Sequence, residues 1–372
     1  MRIVIIGAGI AGLATAAALR MRGLNVAVYD KNAGLETRGA ALTLWSNGTD
    51  ALKRLQALEE VQAHAEILFK ANMYTSGGKW LESIAIDYGT PTVGIPRNAL
   101  LRILADKAGA STITWNKKIK SVSGNALVFE DGSTVDADLI IAADGIHSVI
   151  RRTFANDSLR YSGYTSWRGI SSVSVPSAYA GAMTQYWGNG RRFGFVPLKG
   201  GRTYWFATAN AREGESRMEG VARMVGSFPD PVGAIFAGQA PSEIIHLDLY
   251  DRRPLRGWSY GNALLLGDAA HPMTPSLGLG ACTALEDAVV LSDCFAGSKS
   301  IEGVLNAFES LRVRRANRIV RLSRRVGMIG QLRHPVWCAL RNRMYPLVPN
   351  RWKQRVWNDL YGFVTGDDPS LL

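Results

Sequence analysis

The first thirty residues constrain this chain more than any other part of it. "RIVIIGAGIAGLATAAALRMRGLNVAVYD" runs from an apolar stretch into Gly7, Gly9 and Gly12 and closes on Asp30. "RIVIIG" reads as a buried strand, residues 10 to 22 as a helix and "NVAVYD" as a second strand. Strand, helix and strand in that order predict a parallel sheet. Gly7 permits the tight turn, Gly9 lets the backbone approach a pyrophosphate, and Gly12 lets the helix pack closely on the strand. The helix N-terminus offers free N–H groups and the positive end of its dipole to phosphates. Asp30 follows where a carboxylate accepts hydrogen bonds from an adenosine ribose. The element predicts a dinucleotide site and does not separate NAD from FAD.

The same stretch, with Arg2 ahead of small apolar residues, also has the outline of a signal peptide. The phosphate-binding glycine spacing and the acid-terminated second strand argue against that reading. No other run is long and apolar enough to span a bilayer. The chain has 372 residues, enough for two closely packed domains. Cys282, Cys294 and Cys338 form no CxxC or Cys/His pattern, so neither a disulfide framework nor a zinc site is expected, and a reducing cytoplasm is the natural compartment. The net charge is +12, and from Leu311 to Asn358 there are thirteen Lys or Arg and no Asp or Glu. No nucleic-acid motif accompanies that run. Trp337, Trp352 and Trp357 interleave it, so two readings stand: a solvated basic helix face, or a weak contact with a membrane surface.

Residues 48 to 63 and 97 to 109 carry helical spacing. "ALVFEDGSTVDADLIIAADG" reads as a hairpin turning at Asp131–Gly132 and then a buried strand over 138 to 142. From about 160 to 250 the chain alternates, as in "TQYWGNGRRFGFVPL" and "RTYWFATAN", and predicts a largely antiparallel sheet. The α/β pattern returns after Trp258, and from about 283 the chain is mostly helical. The expected fold class is α/β: a Rossmann-like nucleotide domain of the glutathione-reductase type over 1–70, 90–160 and 258–325. A β-rich substrate domain over 71–89 and 161–257 is inserted in it, and a helical region follows over 326–372. A cleft between the two domains is the expected place for a substrate.

Two later motifs narrow the cofactor. "LIIAADGIHSVIRR" puts Asp144 and Gly145 after a strand, with Ser148 and Arg151 following. "LLLGDAAHPMTPSLGLGAC" puts Asp268 after another strand, ahead of Pro275, Gly280, Ala281 and Cys282. With GAGIAG and "IPRNALLRIL", these four segments, in this order, resemble the group A flavoprotein monooxygenases, the family of para-hydroxybenzoate hydroxylase. The resemblance covers nearly the whole chain. It is nearest to the branch of urate hydroxylase, 3-hydroxybenzoate 6-hydroxylase and zeaxanthin epoxidase.

The resemblance implies FAD as cofactor, NADH or NADPH as a transient co-substrate and O2 as oxidant, with oxygen transfer through a C4a-hydroperoxyflavin. It implies an FAD site made by Gly7, Gly9, Ala11, Gly12, Asp30, Arg97, Asp144, Asp268, Gly280, Ala281 and Cys282. Within it Arg97 contacts FAD, Asp144 lies near the pyrophosphate and Asp268 binds the ribityl chain. Backbone N–H groups of Gly280 to Cys282 face the pyrimidine edge, and Pro275 lines the reaction face. Such N–H groups at a helix start stabilise negative charge on a reduced flavin. Arg38 either joins the flavin side, meets the nicotinamide nucleotide, or is a solvated loop arginine. His271 is expected to be a packed loop residue bonded to backbone, because the flavin holds the oxidising power.

The substrate is expected between the β-rich sheet and the flavin, with Tyr186, Arg192, Phe195 and Tyr204 as candidate lining residues. An arginine there pairs with an anionic group. The leading function is hydroxylation of an aromatic or heteroaromatic small molecule. The alternative is epoxidation or hydroxylation of a lipid, terpenoid or polyketide, antibiotics included. The WxWxIP segment of a flavin-dependent halogenase is absent. A plain NAD dehydrogenase leaves the DG and GD segments unexplained, and a flavin-binding sensor without turnover is the non-enzymatic reading.

Overall fold

The computed structural model describes residues 1–36, 40–86, 89–215, 218–298 and 300–363. The opening folds as its pattern requires. Strand Arg2–Ile6, helix Ile10–Arg20 and strand Asn25–Tyr29 begin a six-stranded sheet. Its order is Ser259–Tyr260, Ala263–Leu265, Leu139–Ala142, Arg2–Ile6, Asn25–Tyr29, Ile113–Thr114. Every neighbouring pair is parallel except the first. Ile3 to Ile6 and Leu139 to Ala142 are almost wholly buried, as strands covered on both faces must be. Helix Ile10–Arg20, rich in Ala and Leu, packs against helix Gly280–Gly297.

The predicted hairpin is present: Ala126–Phe129 pairs antiparallel with Thr134–Asp136, and Gly132 takes a positive φ of 81° in the turn. Helix Arg97–Ala108 falls where expected. The helix expected over 48 to 63 is instead two, Ser46–Arg54 and Leu58–His64, broken at Gln56 with φ 53°. Leu55 and Ala57 are both buried. A residue with left-handed backbone cannot continue a right-handed helix, so the chain turns at Gln56 and a second helix begins.

The alternating segments form a seven-stranded sheet, ordered Ile245–Asp251, Arg160–Ser171, Arg202–Asn210, Arg191–Leu198, Ala182–Trp187, Lys70–Thr75, Trp80–Ala85. It is antiparallel except where Ala182–Trp187 meets Lys70–Thr75. Two short helices inside the strand-rich stretch, Met218–Val225 and Val232–Ala237, were not signalled by the alternation. Val221, Val225, Val232 and Ile235 pack there on Trp167, Tyr186, Phe193, Phe195 and Trp205 from one face of the sheet. The opposite face is left for the site. The chain closes with helices Ile301–Gly330, Pro335–Met344 and Asn350–Tyr361. Among the described residues no helix is long and apolar enough to cross a membrane.

Candidate active site

Three neighbouring parallel strands, Arg2–Ile6, Leu139–Ala142 and Ala263–Leu265, carry their connecting loops to one end of the six-stranded sheet. Open sheets bind ligands at the carboxyl ends of their strands. A cavity of about 1200 Å³ lies between those loops and the free face of the seven-stranded sheet. Single small-molecule sites usually occupy roughly 300 to 1000 Å³, so this one has room for a large cofactor with a second molecule beside it.

The glycines of the opening motif divide into two kinds. Gly7 and Gly12 are fixed by the protein's own packing. A Cβ on Gly12 would come 1.9 Å from the carbonyl oxygen of Gly7, and one on Gly7 would come 2.4 Å from that of Ala143. Gly9 lines the cavity, and a Cβ there would meet no protein atom within 4 Å. Ala11 is also on the wall. The helix that starts at Ile10 has no side-chain cap, so its first N–H groups remain free for a ligand. Asp30 is off the wall. Its carboxylate accepts the N–H of Ala8 at 2.6 Å and of Asn32 at 2.8 Å, which ties the glycine turn to the second strand.

Arg97 and Asp268 are both on the wall. Asp268 is open to the cavity yet deeply set in the protein, so the surface it exposes is cavity surface. Burial pushes its carboxyl above the ordinary value, against the pull of His271 and Arg97. Asp144 is placed differently. Its neighbours Ala143, Gly145 and Ile146 line the cavity, but its own Oδ2 accepts the N–H of Val149 at 2.8 Å. Arg151, from the same segment, is wholly buried. It donates to the carbonyls of Ala269 and Ala270 at 2.9 and 2.8 Å and pairs with Asp157. It therefore clamps the loop that carries Asp268 to the loop that carries Asp144.

Helix Gly280–Gly297 also lacks a side-chain cap, and Gly280 and Ala281 are on the wall with Pro275. The Cys282 side chain turns away. It is buried against Gly48, its Sγ accepts the N–H of Trp45 at 3.4 Å, and burial pushes the thiol up to about 12. Trp45 was not anticipated as a site residue. It lines the cavity with a buried indole N–H that has no partner among the described residues. Trp357 and Tyr361 of the last helix pack on it, with ring centroids 5.6 and 4.2 Å away. Trp357 is thus part of the site wall rather than of a solvated basic face. Trp337 is exposed, and the Trp352 side chain and Arg38 lie outside the described residues.

The four substrate-side candidates separate by strand alternation. Arg192 and Tyr204 are on the cavity wall. Tyr186 and Phe195 are not: both are wholly buried on the opposite face, and the Tyr186 hydroxyl is 3.1 Å from that of Tyr179. Arg192 pairs across the sheet with Thr208, and Tyr204 with Val196, whereas Phe195 pairs with Trp205. Arg192 is buried over the Tyr164 ring, and no carboxylate among the described residues pairs with it. Burial lowers its pKa, with Tyr164 opposing. Burial raises the Tyr204 phenol, so it stays protonated at neutral pH. Arg168, Gln185 and His246 also line this face and were missed.

His271 was expected to bond to backbone, but its ring partner is a side chain. Its Nε2 meets Asp287, and the ring is off the wall. The orphan Trp45 donor, the open Gly9 and the two uncapped helix starts leave donors and space for an anionic, flat-ringed dinucleotide.

A family model described as an FAD binding domain matches residues 1–323. Aurachin C monooxygenase/isomerase of Stigmatella aurantiaca is 35% identical to the chain, over 92% of it and 93% of that protein. The 3-amino-4-hydroxybenzoate 2-monooxygenase of Streptomyces cremeus is 34% identical, over 88% and 86%. The crystal structure of Klebsiella pneumoniae HpxO complexed with FAD and uric acid superposes with a TM-score of 0.88 at 25% identity, covering 97% of this chain and 96% of that one.

Proposed function

Because this chain belongs to the FAD binding domain family, as a group A flavoprotein monooxygenase that uses FAD, we propose that it hydroxylates an aromatic or heteroaromatic small molecule at the expense of NADH or NADPH and O2. The observation that carries the reading is the continuity of one cavity, from Gly9 and Asp268 to Arg192 and Tyr204. Cofactor and substrate subsites share a single space. Bound FAD supplies the redox chemistry, taking two electrons from the nicotinamide and delivering one oxygen atom of O2 to the substrate while the other leaves as water.

The chain's own residues bind, orient and exclude water. Gly9, Ala11 and the start of helix Ile10–Arg20 take the pyrophosphate, and Asp30 fixes that turn. Asp268 accepts from the ribityl hydroxyls, with Arg97 beside it. The backbone at Gly280 and Ala281 faces the pyrimidine edge, where its N–H groups favour the negative charge of the reduced ring. Asp144 and Arg151 hold the loops in place. On the substrate side Arg192 pairs with an anionic or strongly polarised oxygen, and the protonated Tyr204 donates to a substrate acceptor. Trp45, Trp357 and Tyr361 keep water from the reacting centre, which suppresses loss of oxidising equivalents as peroxide.

A second reading, hydroxylation or epoxidation of a lipid-like substrate, is favoured by one feature. Leu322, Val326, Ile329 and Leu360 give the cavity apolar wall from the last helices. A screen of both substrate classes, with NADH or NADPH consumption and hydrogen peroxide followed together, tests the proposal. A true substrate accelerates oxidation and lowers the peroxide fraction. A protein that takes up FAD but responds to no such compound refutes it.

A further inference from the structure

The cavity wall made by the last helices has an outer side. Ile329 and Tyr345 line the cavity, and their neighbours Met328 and Met344 face out, 60% and 56% exposed. Between them runs helix Pro335–Met344, which buries only Cys338 and Arg341. Its other face presents Val336, Trp337, Leu340 and Met344, and Leu347 follows at 73% exposure. Val336, Leu340 and Met344 recur every four residues, the spacing of an apolar stripe. Isolated exposed hydrophobics are ordinary, but a contiguous outward stripe marks an interaction surface.

The charges around the stripe choose its occupant. Arg333, two residues ahead of the helix, and Arg343 within it are exposed, neither is in an ion pair among the described residues, and no acid lies between residues 311 and 358. A second copy meeting this face through a two-fold axis would set these like charges against each other. Nucleic acid would use the arginines and leave the Val, Leu and Met side chains without a partner. An anionic lipid surface satisfies both features at once, with apolar side chains in the acyl boundary and arginines among the head groups.

We propose that helix Pro335–Met344 and the turn after it dock this enzyme on an anionic lipid surface, with Ile329 and Tyr345 of the cavity wall flanking the contact. Docking does not depend on the flavin chemistry, so FAD retention is the control that separates the two. The FAD-loaded protein is mixed with phosphatidylcholine vesicles, with or without phosphatidylglycerol, and sedimented. The expected result is co-sedimentation only with the anionic vesicles, weakened by added salt. Arg333→Gln and Arg343→Gln should each lower the partition constant about five-fold. Leu340→Glu should abolish sedimentation with bound FAD unchanged, and Met344→Glu on the same stripe gives an independent reading should the first variant lose FAD. Absence of sedimentation with phosphatidylglycerol at low salt overturns the proposal, as does sedimentation that all these variants retain. A solution dimer that Leu340→Glu splits, without vesicle binding, assigns the stripe to a second copy and also overturns it.

Discussion

His271 and Asp287 are wholly buried, with Nε2 of one 2.5 Å from Oδ2 of the other. Arg312 holds the second oxygen of Asp287 at 2.7 Å and reaches Glu286 at 2.7 Å, and Arg315 closes the cluster on Glu286 at 2.8 Å. The histidine is therefore a strut that fixes the loop after Asp268 to two helices. Removing one member of such a cluster strands a charge, at a cost of about 3–5 kcal/mol. Asp287→Asn should lower the unfolding free energy by about that much in urea denaturation. His271→Gln should leave the pH profile of turnover unchanged. A vanished limb in that profile would make the histidine a proton carrier instead.

The same cluster sets the response to acid. Burial alone would raise the Glu286 and Asp287 carboxyls, but the surrounding cations outweigh it and hold both below their ordinary values of 4.5 and 3.8. A group whose folded pKa is depressed stabilises fully above its unfolded pKa and loses that contribution as pH falls through the folded one. The contribution of this cluster should be flat above about pH 5 and fall increasingly steeply below pH 4.5. Glu286→Gln, followed by denaturation at each pH, should be less stable than the parent near neutrality, show a shallower decline and approach the parent in acid.

Asp268 lies on the wall beside Arg97 with its carboxylate open to the cavity. A hydrogen bond to a charged group contributes about 1.5–3 kcal/mol. Asp268→Ala should therefore weaken FAD binding roughly 10- to 100-fold, read by titrating apoprotein with FAD. Unchanged affinity would remove Asp268 from the cofactor site.

These positions differ in how far the chain announced them. Gly9 and Asp268 follow strands in short motifs whose residue types leave few alternatives, so local pattern was enough. Arg192 and Tyr204 were legible as candidates, but Phe195 was not separable by residue type alone. It stands three residues from Arg192, and an odd spacing on a strand puts it on the other face. Applied to "RRFGFVPL", that alternation would have excluded it. Trp45, Tyr361 and Asp287 were out of reach. Each acquires its role through contacts with residues far away in the chain, and nothing local marks them. The break at Gln56 was hidden too: its left-handed φ of 53° interrupts a pattern of Leu and Ala spacing that reads as continuous.

Arg192 tests the substrate side. It is a buried cation over Tyr164, close to the C-terminal end of helix Ile301–Gly330 and without a carboxylate partner among the described residues. Burial holds its pKa down, so the folded state disfavours its charge. Arg192→Met should raise stability, by about 1 kcal/mol, because an uncompensated buried charge is removed. It should also raise KM at least 10-fold for an anionic substrate while FAD affinity stays the same, a trade of stability for function. A variant that is less stable and binds substrate normally would make Arg192 a structural residue.

Gly9 and Gly12 give the sharpest separation of ligand from scaffold, because they are three residues apart in one motif. Gly12→Ala would drive a Cβ to 1.9 Å from the Gly7 carbonyl oxygen, a backbone atom that cannot move without dragging the turn with it. That variant should lose several kcal/mol, about the cost of overpacking a core or more, and should melt early even before FAD is considered. Gly9→Ala meets no protein atom within 4 Å, and its φ of −81° suits any residue. The apoprotein should therefore fold and melt like the parent. Its added methyl projects into the space the pyrophosphate is proposed to fill, so FAD affinity should fall at least 10-fold. Thermal melts of both apoproteins, followed by FAD titration, decide the matter. If Gly9→Ala binds FAD as the parent does, no ligand approaches the backbone there, and the phosphate cradle must be sought elsewhere on the wall.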